Sequence, residues 1–254
     1  MTYRTTFGEK LGEGKTKIVY AHPTRRDLVY LVHKDRITAG DGARASELPG
    51  KGELACRTTS NVFYVLEQEG IDTHYIGLVE PAVNLVVRCE MVPLEVVMRR
   101  VATGSYLKRN PEVSEGQRFD PPLVEFFFKS DELHDPLVDD AEIQRMGLAE
   151  PAEIDEMRDT GRRVFLALER AWAGKRVTLV DLKIEFGRGE DGSLMVADVI
   201  DNDSWRLWPD GDKNRMLDKQ VYRDMPEVTD SALRALLSKY AQVAELTEDF
   251  IQED

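Results

Sequence analysis

The sequence has little of what marks a secreted, membrane-spanning or nucleic-acid-binding protein. It holds only two cysteines in 254 residues, Cys56 and Cys89, and their separation does not match metal-ligand spacing. No apolar run is long enough to cross a membrane, and residues 1–5 lack the apolar region of a signal peptide. We therefore expect a cytoplasmic protein whose cysteines are reduced and buried.

An excess of basic residues is also missing. The 34 Lys and Arg residues are outnumbered by 47 Asp and Glu residues, which gives a net charge of -13. This balance argues against a general nucleic-acid-binding surface, because phosphate neutralisation needs a basic face. It still allows a local basic pocket for a small phosphorylated ligand. The length and the hydrophobic share of 42% fit one large domain or two closely joined lobes.

Repeats and low-complexity linkers are absent as well, and the remaining pattern predicts a mixed α/β (α+β) fold. Strands are predicted at residues 18–20, 28–32, 75–78, 84–88 and 123–128. Helices are predicted at residues 52–69, 153–172 and 231–247, the last with a cap at Ser231. A predicted break at residues 90–93 separates an antiparallel β-rich lobe, residues 1–90, from an α/β lobe, residues 91–254. A ligand cleft is expected between the two lobes.

Charged and apolar residues alternate along residues 180–186, a pattern that predicts a β-strand. Asp181, Lys183 and Glu185 would lie on one face of this strand, and the intervening apolar residues on the other. The charged face has two interpretations, either a functional site or the solvated surface of an open sheet.

A turn after this strand would bring a second acid opposite the first. Asp191–Gly192 favours a tight two-residue loop, and counting outwards from it sets Glu185 directly opposite Asp198. Like charges in that position are destabilising. A cation bound between the two carboxylates would remove this cost, and Mg²⁺ is the usual choice beside phosphates.

Further acids and an arginine follow on the returning strand. Acids at alternate positions resemble an EF-hand loop, but the glycine and the glutamate that such a loop requires are missing. Arg206 would bind a carboxylate or phosphate of a substrate. Alternatively, Arg206 pairs with Asp201 or Asp203. For Trp205 and Trp208, packing in a core is the preferred interpretation.

A glycine-rich stretch near the N-terminus contains part of a phosphate-binding P-loop. Residues 14–17 supply Gly-Lys-Thr, but Glu9 stands where the first glycine belongs, and the following residues are strand-like. A glycine-rich flap between two strands fits better, with Lys15 and Lys17 neutralising the phosphates that its amides cover. The alternative is a plain hairpin turn with solvated lysines.

Three polar stretches, mostly in expected loops, indicate the same chemistry. Residues 38–44 follow a strand end, residues 99–105 combine guanidinium, hydroxyl and backbone donors, and residues 129–136 end an apolar strand in a run of charge. His134 is expected to have a structural role. Together with the acidic hairpin, these stretches favour a magnesium-dependent site that handles phosphates.

Motifs spread in order over most of the chain resemble the SAICAR synthetase family of purine synthesis. They lie at residues 14–17, 39–44, 99–105, 128–129, 134–136, 182–187 and 204–208. The version of residues 198–205 is similar to the animal bifunctional branch, because Val199 stands where the common bacterial form has an acid. That acid's contact is expected to move to Asp201. The chain ends after its last helix, so the fused carboxylase domain of that branch is expected to be absent.

The resemblance implies a two-lobed SAICAR synthetase-like fold with an ATP-grasp or kinase-like nucleotide cleft between the lobes. It implies an ATP-dependent ligase that joins L-aspartate to the carboxylate of the carboxylated aminoimidazole ribonucleotide (CAIR), forming ADP, phosphate and the succinocarboxamide. Its ligands would be ATP, Mg²⁺, CAIR and L-aspartate, with no nucleic-acid or membrane partner. A homodimer in the cytoplasm is expected.

The resemblance also assigns roles to individual residues. ATP would be contacted by Lys15, Thr16, Lys17, Lys129 and, at the adenine, Met91. Magnesium would be held by Glu185 and Asp198. The phosphate of the ribonucleotide would be bound by Arg99 and Ser105. The reacting carboxylate, the incoming amine and the imidazole would have as neighbours Lys183, Arg206 and Asp41.

Two other functions fit the same residues. A kinase of a phosphorylated small molecule would use the same flap and acidic hairpin, but it would release ADP without an amine substrate. A non-catalytic nucleotide-binding protein would release no ADP at all.

Overall fold

The computed structural model describes residues 4–40, 42–130 and 132–251. These residues form a mixed α+β fold in which antiparallel sheets are packed with helices. Within the described ranges, no helix combines the length and apolar character needed to cross a membrane. Cys56 is buried and Cys89 is partly buried, and both are free thiols.

The first sheet contains the glycine-rich flap. Its strands, in order across the sheet, are β1 (Lys10–Glu13), β2 (Lys17–Ala21), β3 (Leu28–His33), β7 (Val83–Val87) and β6 (Tyr75–Glu80). The four strands predicted in this region are confirmed, and β1 and β2 form the predicted hairpin around residues 14–16. Alternate residues of the sheet pack on both faces, so Val29 and Leu31 join one apolar cluster while Tyr30 and Val32 join another.

A separate short hairpin carries the polar stretch at residues 38–44. It pairs β4 (Arg36–Ala39) with β5 (Arg44–Glu47). Asp41, which was expected beside the reacting groups, lies outside the described residues.

The second sheet positions most of the predicted site. Its strands, in order, are β10 (Leu137–Val138), β9 (Arg118–Phe128), β8 (Glu90–Val101), β11 (Val177–Arg188) and β12 (Leu194–Ala197). A further strand, β13 (Trp205–Pro209), also pairs with β11. The strand predicted at residues 123–128 is confirmed as part of β9.

The predicted break at residues 90–93 is wrong, because β8 runs through them as one strand. Its pairing with β11 changes register between Met91, opposite Gly187, and Glu95, opposite Glu185. Pro93 falls inside this irregularity, where its missing N–H interrupts no regular ladder bond. Sequence reasoning treated the proline as a terminator, although an irregular position inside a strand accommodates it equally well.

Helices cover the sheets and complete the core. They are α1 (Lys51–Gln68), α2 (Ser105–Arg109), α3 (Asp140–Arg145), α4 (Pro151–Gly174), α5 (Gln220–Arg223) and α6 (Asp230–Glu248), with a 3-10 turn at Lys213–Arg215. The three predicted helices are confirmed. The predicted cap of the last one is wrong by two residues, because Thr229, not Ser231, accepts the hydrogen bond from the amide of Ala232.

Helix α4 packs against β8 and β11 across the largest apolar cluster. The helix comes close at Gly161, where a Cβ atom would lie 3.0 Å from Met98 Sδ. The same cluster includes Val62, Phe63 and Leu66 of α1. The N-terminal helix therefore belongs to the core of the second sheet, and the division at residue 90 stays a prediction.

Buried histidines should make the stability of the fold depend on pH. His33 is 5% exposed, and its Nε2 lies 2.8 Å from Asn84 Oδ1. Burial is the main cause that lowers the pKa of His33 from 6.5 to about 3. Between pH 6.5 and 3, the unfolded chain therefore binds a proton at His33 and the folded chain does not. The contribution of His33 to the free energy of unfolding is complete above pH 6.5 and is lost as pH falls towards 3.

We expect His33→Gln to flatten the pH dependence of stability. Between pH 6.5 and 4.5, wild type should lose about 2–3 kcal/mol more free energy of unfolding than the variant, as measured by urea titration. His134→Gln, which changes an exposed histidine, should leave the slope unchanged. Parallel slopes for wild type and His33→Gln would contradict the assignment.

Candidate active site

The charged face predicted on residues 180–186 exists. Lys183 and Glu185 lie on β11 with their side chains in a polar cluster, whereas Leu182, Ile184 and Phe186 are buried in the apolar core. The face is not simply solvated, because Glu185 is only 3% exposed.

The predicted register of the hairpin is wrong by one residue. Arg188 pairs with Leu194, and Glu185 therefore faces Ala197 rather than Asp198. The loop is longer than two residues, since the amide of Gly189 bonds to the carbonyl of Ser193 and that of Gly192 to the carbonyl of Gly189. Gly192 takes a left-handed conformation in this loop, with φ of 83°.

Glu185 does face a second acid, but that acid is on the other neighbouring strand. Glu95 of β8 is directly opposite Glu185 of β11. Lys183 Nζ lies 2.9 Å from Glu95 Oε1 and 2.9 Å from Glu185 Oε1. Lys129 forms a second ion pair with Glu185. The like-charge pair predicted between Glu185 and Asp198 is therefore wrong in its partner, because Glu95 takes the facing position, and ammonium groups neutralise the pair that the structure has.

Burial and charge act in opposite directions on Lys183. Burial lowers the pKa of Lys183, but Glu185 and Glu95 outweigh burial and hold this pKa above its ordinary value. The lysine is therefore a cation at neutral pH. Its side chain is 29% exposed, so the same ammonium also reaches the adjoining cavity.

Asp198 enters the same site from the end of β12. It has a left-handed backbone, with φ of 65°, which turns the chain out of the strand. Its carbonyl accepts a 2.9 Å hydrogen bond from His74 Nε2, and its carboxylate forms an ion pair with Lys17. Burial raises the pKa of Asp198, but Lys17 and Lys183 outweigh it and hold the carboxyl well below its usual range.

Most of the predicted nucleotide residues line one cavity of about 590 Å³ between the flap and the second sheet. The predicted residues among its walls are Lys15, Thr16, Lys17, Lys129, Lys183, Glu185 and Asp198. Two further residues of its lining, Val19 and Glu95, had no predicted role, whereas Ser130 and Asp135 belong to the polar stretch predicted at residues 129–136. Glu95 gave no local signal, because its importance comes from its register with Glu185.

A smaller cavity of about 310 Å³ shares Lys15, Lys17, Lys183 and Asp198 with the first. Its additional walls include Thr38, Asp201, Asp203, Lys219 and Arg223. A third space of about 260 Å³ continues between Lys15, Lys219 and Arg223. Lys219 and Arg223 were missed, although their spacing of four residues across a helix start places them on one face.

Arg99 and Arg206 form a second cluster around one carboxylate. Asp181 accepts from both guanidinium groups, at 3.2 Å from Arg99 Nη1 and at close contact with Arg206 Nη1. The alternative pairing of Arg206 with Asp201 or Asp203 is therefore not what the structure has. Arg99 also bonds to Glu125 at 2.6 Å.

Gly104 and Ser105 bring the start of α2 to this arginine cluster. A Cβ atom on Gly104 would lie 2.6 Å from Arg206 Nη2, and the residue has φ of 59°. The conformation therefore favours glycine here, and a Cβ atom would also displace the guanidinium group of Arg206. Ser105, the first residue of α2, follows directly and is exposed.

The two tryptophans are core residues, whereas Met91 is at the surface. Trp205 and Trp208 are buried, which confirms the core interpretation, and Trp205 packs edge-on against Trp172 at 5.3 Å. Met91 is 40% exposed at the start of β8, with its sulfur 3.9 Å from that of Cys89.

Magnesium was expected between Glu185 and Asp198. Among residues 4–40, 42–130 and 132–251, no group of three or more His, Cys, Asp and Glu side chains is arranged to hold a metal ion. The two carboxylates nevertheless line one cavity together with lysines. This donor set fits Mg²⁺, which commonly takes one or two protein carboxylates and completes its shell with water and phosphate oxygens.

A cavity between a glycine-rich flap and a sheet, lined by lysines and carboxylates, is typical of enzymes that bind phosphorylated ligands. Comparison with known proteins narrows the class. The family model for SAICAR synthetase matches residues 10–238, so the chain belongs to the SAICAR synthetase family.

Relatives named phosphoribosylaminoimidazole-succinocarboxamide synthase match nearly end to end. The protein of Roseiflexus sp. (strain RS-1) is 58% identical over 246 residues, which are 97% of this chain and 99% of that protein. The protein of Chloroflexus aggregans is 62% identical over 240 residues, which are 94% and 96% of the two chains. A bifunctional carboxylase/synthetase of Drosophila melanogaster is 47% identical and covers 96% of this chain but 59% of that protein.

Solved structures confirm the predicted fold. The phosphoribosylaminoimidazole-succinocarboxamide synthase of Ehrlichia chaffeensis has a TM-score of 0.85 at 32% identity and covers 96% of this chain and 100% of that chain. A SAICAR synthetase (Type-2) in complex with ADP has a TM-score of 0.84 at 33% identity and covers 96% and 99%. The resemblance to the animal branch also holds, but at lower identity than the Roseiflexus and Chloroflexus proteins.

We expect Lys183→Met to expose the conflict between Glu95 and Glu185. Loss of the ammonium should lower the free energy of unfolding at pH 7 by about 1–3 kcal/mol in urea titration, because buried like charges would lose one of their neutralising partners. The double variant Lys183→Met with Glu95→Gln should regain part of that loss, since only one of the facing acids stays charged. A double variant that is no more stable than the single one would contradict this interpretation.

Proposed function

We propose that this chain catalyses the ATP-dependent joining of L-aspartate to the carboxylate of CAIR, with release of ADP and phosphate. One observation carries the proposal: in a chain of the SAICAR synthetase family, the lysines and carboxylates assigned to nucleotide binding converge on one cavity. The relatives that match nearly end to end are named for this synthesis. The fold neighbour in complex with ADP supports ATP as the nucleotide.

In the proposed complex, the ATP phosphates lie in the 590 Å³ cavity, where Lys15, Lys17 and Lys129 neutralise them beneath the flap. Thr16 supplies a hydroxyl and a backbone amide at the turn. The adenine lies near Met91, whose exposed side chain offers an apolar surface at the start of β8. Lys17 and Lys129 would exchange their present carboxylate partners for phosphate oxygens.

Glu185 and Asp198 would hold Mg²⁺, which supplies additional positive charge to the phosphate oxygens. Glu185 is buried and Asp198 is partly buried, and the pKa of Asp198 is held low, so Asp198 stays an anion through the physiological range. Each is now neutralised by a lysine, and a carboxylate that is already ionised can accept a metal ion without losing a proton.

The ribonucleotide would bind with its phosphate at the arginine cluster. Arg99 and Arg206 converge on Asp181, and Ser105 begins a helix beside them. Guanidinium groups recognise phosphate through paired hydrogen bonds, and Asp181 keeps the two arginines in one orientation. Arg206 was expected beside Lys183 at the reacting groups, but in this proposal it binds the ribonucleotide phosphate together with Arg99.

L-Aspartate would occupy the space bounded by Lys15, Lys219 and Arg223. A cavity of about 260 Å³ lined by three cationic side chains suits a small dicarboxylate, whose carboxylates can pair with them. Lys183, which lines both larger cavities, would lie beside the reacting carboxylate. Asp41, for which we propose contact with the amine or the imidazole, completes the predicted set.

In the proposed reaction the protein aligns the substrates and forms no covalent bond with them. An oxygen of the CAIR carboxylate attacks the γ-phosphorus of ATP, the bond to the β-phosphate oxygen breaks, and ADP leaves with the electron pair. The amine of L-aspartate then attacks the acyl carbon, a C–N bond forms, phosphate leaves, and the nitrogen loses a proton. The lysines neutralise and orient the phosphates, and enclosure by the flap keeps water from the acyl phosphate.

The function is tested by measuring ADP release with ATP, Mg²⁺ and CAIR, with and without L-aspartate. We expect release that depends on L-aspartate, with one succinocarboxamide formed per ADP as measured by mass spectrometry. Release of ADP and a phosphorylated CAIR at the same rate without L-aspartate would favour the kinase instead. No release would contradict both enzymes.

We expect Glu185→Gln and Asp198→Asn to lower kcat by about 100-fold or more, because each removes a charge from the metal and phosphate site. Each should also raise the Mg²⁺ concentration needed for half-maximal activity, measured at saturating ATP. Glu156→Gln, an exposed acid on α4, is the matched control and should behave as wild type. Full activity in either site variant, with unchanged magnesium dependence, would contradict the assignment.

We expect Arg206→Gln to raise KM for CAIR about tenfold or more, through loss of a charge-assisted pair to its phosphate, and to change KM for ATP by less than about twofold. Arg215→Gln removes an exposed arginine paired with Asp210 and should change neither constant. Equal effects of Arg206→Gln on CAIR and ATP would mean that the arginine cluster does not bind the ribonucleotide.

We also propose a cytoplasmic homodimer, following the family resemblance. Sedimentation velocity at micromolar concentration tests the dimer, and a single monomeric species would contradict it.

A further inference from the structure

A buried polar cluster lies behind the cavity wall. It joins Lys51 at the start of α1, Asp203 in the loop before β13, Lys219 at the start of α5 and Tyr240 in α6. Lys51 is 1% exposed and Tyr240 is fully buried. Asp203 and Lys219 line the cavity of about 310 Å³, whereas Lys51 and Tyr240 stand behind them.

Asp203 is the common partner of the other three groups. Its Oδ1 accepts from Tyr240 Oη at 2.7 Å. Its Oδ2 accepts from Lys219 Nζ at 3.1 Å and from Lys51 Nζ at 3.4 Å. Both carboxylate oxygens are therefore occupied, and the side chain has one orientation. The backbone amide of Asp203 also donates to Asp201 Oδ1 at 2.8 Å.

Lys51 carries a cost in its position and is retained beside Asp203. A buried ammonium carries a desolvation cost, and a lysine in the first turn of a helix lies at the positive end of the helix dipole. Burial lowers the pKa of Lys51, but Asp203 and Asp201 outweigh it, so the group stays charged. An apolar residue of similar length would fill the same volume, but it would leave Asp203 without one of its counter-charges.

Lys219 is the member of the cluster that reaches substrate space. Its Nζ lies 3.1 Å from Asp203, and its backbone amide bonds to the carbonyl of Asn202 at 3.1 Å. Burial lowers the pKa of Lys219, and Asp203 acts against this. Asp203 thus fixes the ammonium in position and helps to keep it charged beside Lys15 and Arg223.

We infer that Lys51 and Tyr240 are positioning residues for the binding of L-aspartate. They fix the carboxylate of Asp203 from behind, and Asp203 holds Lys219 in the orientation that meets a substrate carboxylate. The inference rests on the proposed function, because it assigns L-aspartate to the space between Lys15, Lys219 and Arg223. It adds two residues outside the cavity walls to the machinery of the reaction.

Tyr240→Phe tests the positioning role with little disturbance of the fold, since it removes one hydroxyl and keeps the buried ring. We expect KM for L-aspartate to rise about fivefold or more. KM for ATP and kcat should change by less than about twofold. Lys51→Met, which keeps length but removes charge, should raise the same KM by at least as much. If Lys51→Met does not fold, the result with Tyr240→Phe decides.

Tyr222→Phe is the matched control. Tyr222 is also fully buried and belongs to the same apolar cluster as Tyr240, but its hydroxyl bonds to Ser46 Oγ at 2.9 Å. It should leave KM for L-aspartate unchanged. Thermal unfolding of all variants identifies any that fold poorly.

The outcomes separate the inference from the proposed function. A wild-type enzyme without aspartate-dependent ADP release would overturn the function, and the inference with it. An active wild type with an unchanged KM for L-aspartate in Tyr240→Phe would overturn the inference alone. An equal rise for L-aspartate in Tyr240→Phe and Tyr222→Phe would also overturn it, because loss of any buried hydroxyl would then suffice.

Discussion

The ammonium group of Lys183 between Glu95 and Glu185 is the interaction on which the site depends. Pairing of β8 with β11 brings the two acids face to face, which destabilises the sheet at this point unless a cation neutralises them. Lys183 comes from the same strand as Glu185 and bridges both acids at 2.9 Å. The cavity thereby holds carboxylates, which we propose for the metal, and ammonium groups, which we propose for the phosphates, in one neutralised group.

The two sheets meet where Asp198 turns out of β12. Lys17 at the start of β2 pairs with its carboxylate, and His74 donates to its carbonyl. This ion pair fixes the position of Lys17 relative to Asp198, the carboxylate that we propose for the metal. Farther along the same loop, Asp203 is held by α1, α5 and α6. One irregular segment therefore orders both the nucleotide side and the proposed aspartate side of the cavity.

Local sequence patterns predicted many of the site residues, whereas the contacts between them depend on long-range strand pairing. Alternation along β11 placed Lys183 and Glu185 on one face, and the glycines predicted the flap that carries Lys15 and Lys17. The hairpin register failed because the loop is longer than two residues, and one residue of slip replaces Asp198 by Ala197. Glu95 was missed since only strand pairing brings it to Glu185. The sequence therefore predicts many residues of the site, whereas the contacts between them can be known only from the three-dimensional structure.

We propose that the cavity brings the γ-phosphate of ATP to the carboxylate of the ribonucleotide, so that one carboxylate oxygen leaves as part of the inorganic phosphate. The most direct measurement uses CAIR labelled with oxygen-18 in its carboxylate, with ATP, Mg²⁺ and L-aspartate, and mass analysis of the inorganic phosphate. We expect one labelled oxygen to be transferred to phosphate for each succinocarboxamide formed. Product formation with unlabelled phosphate would contradict it.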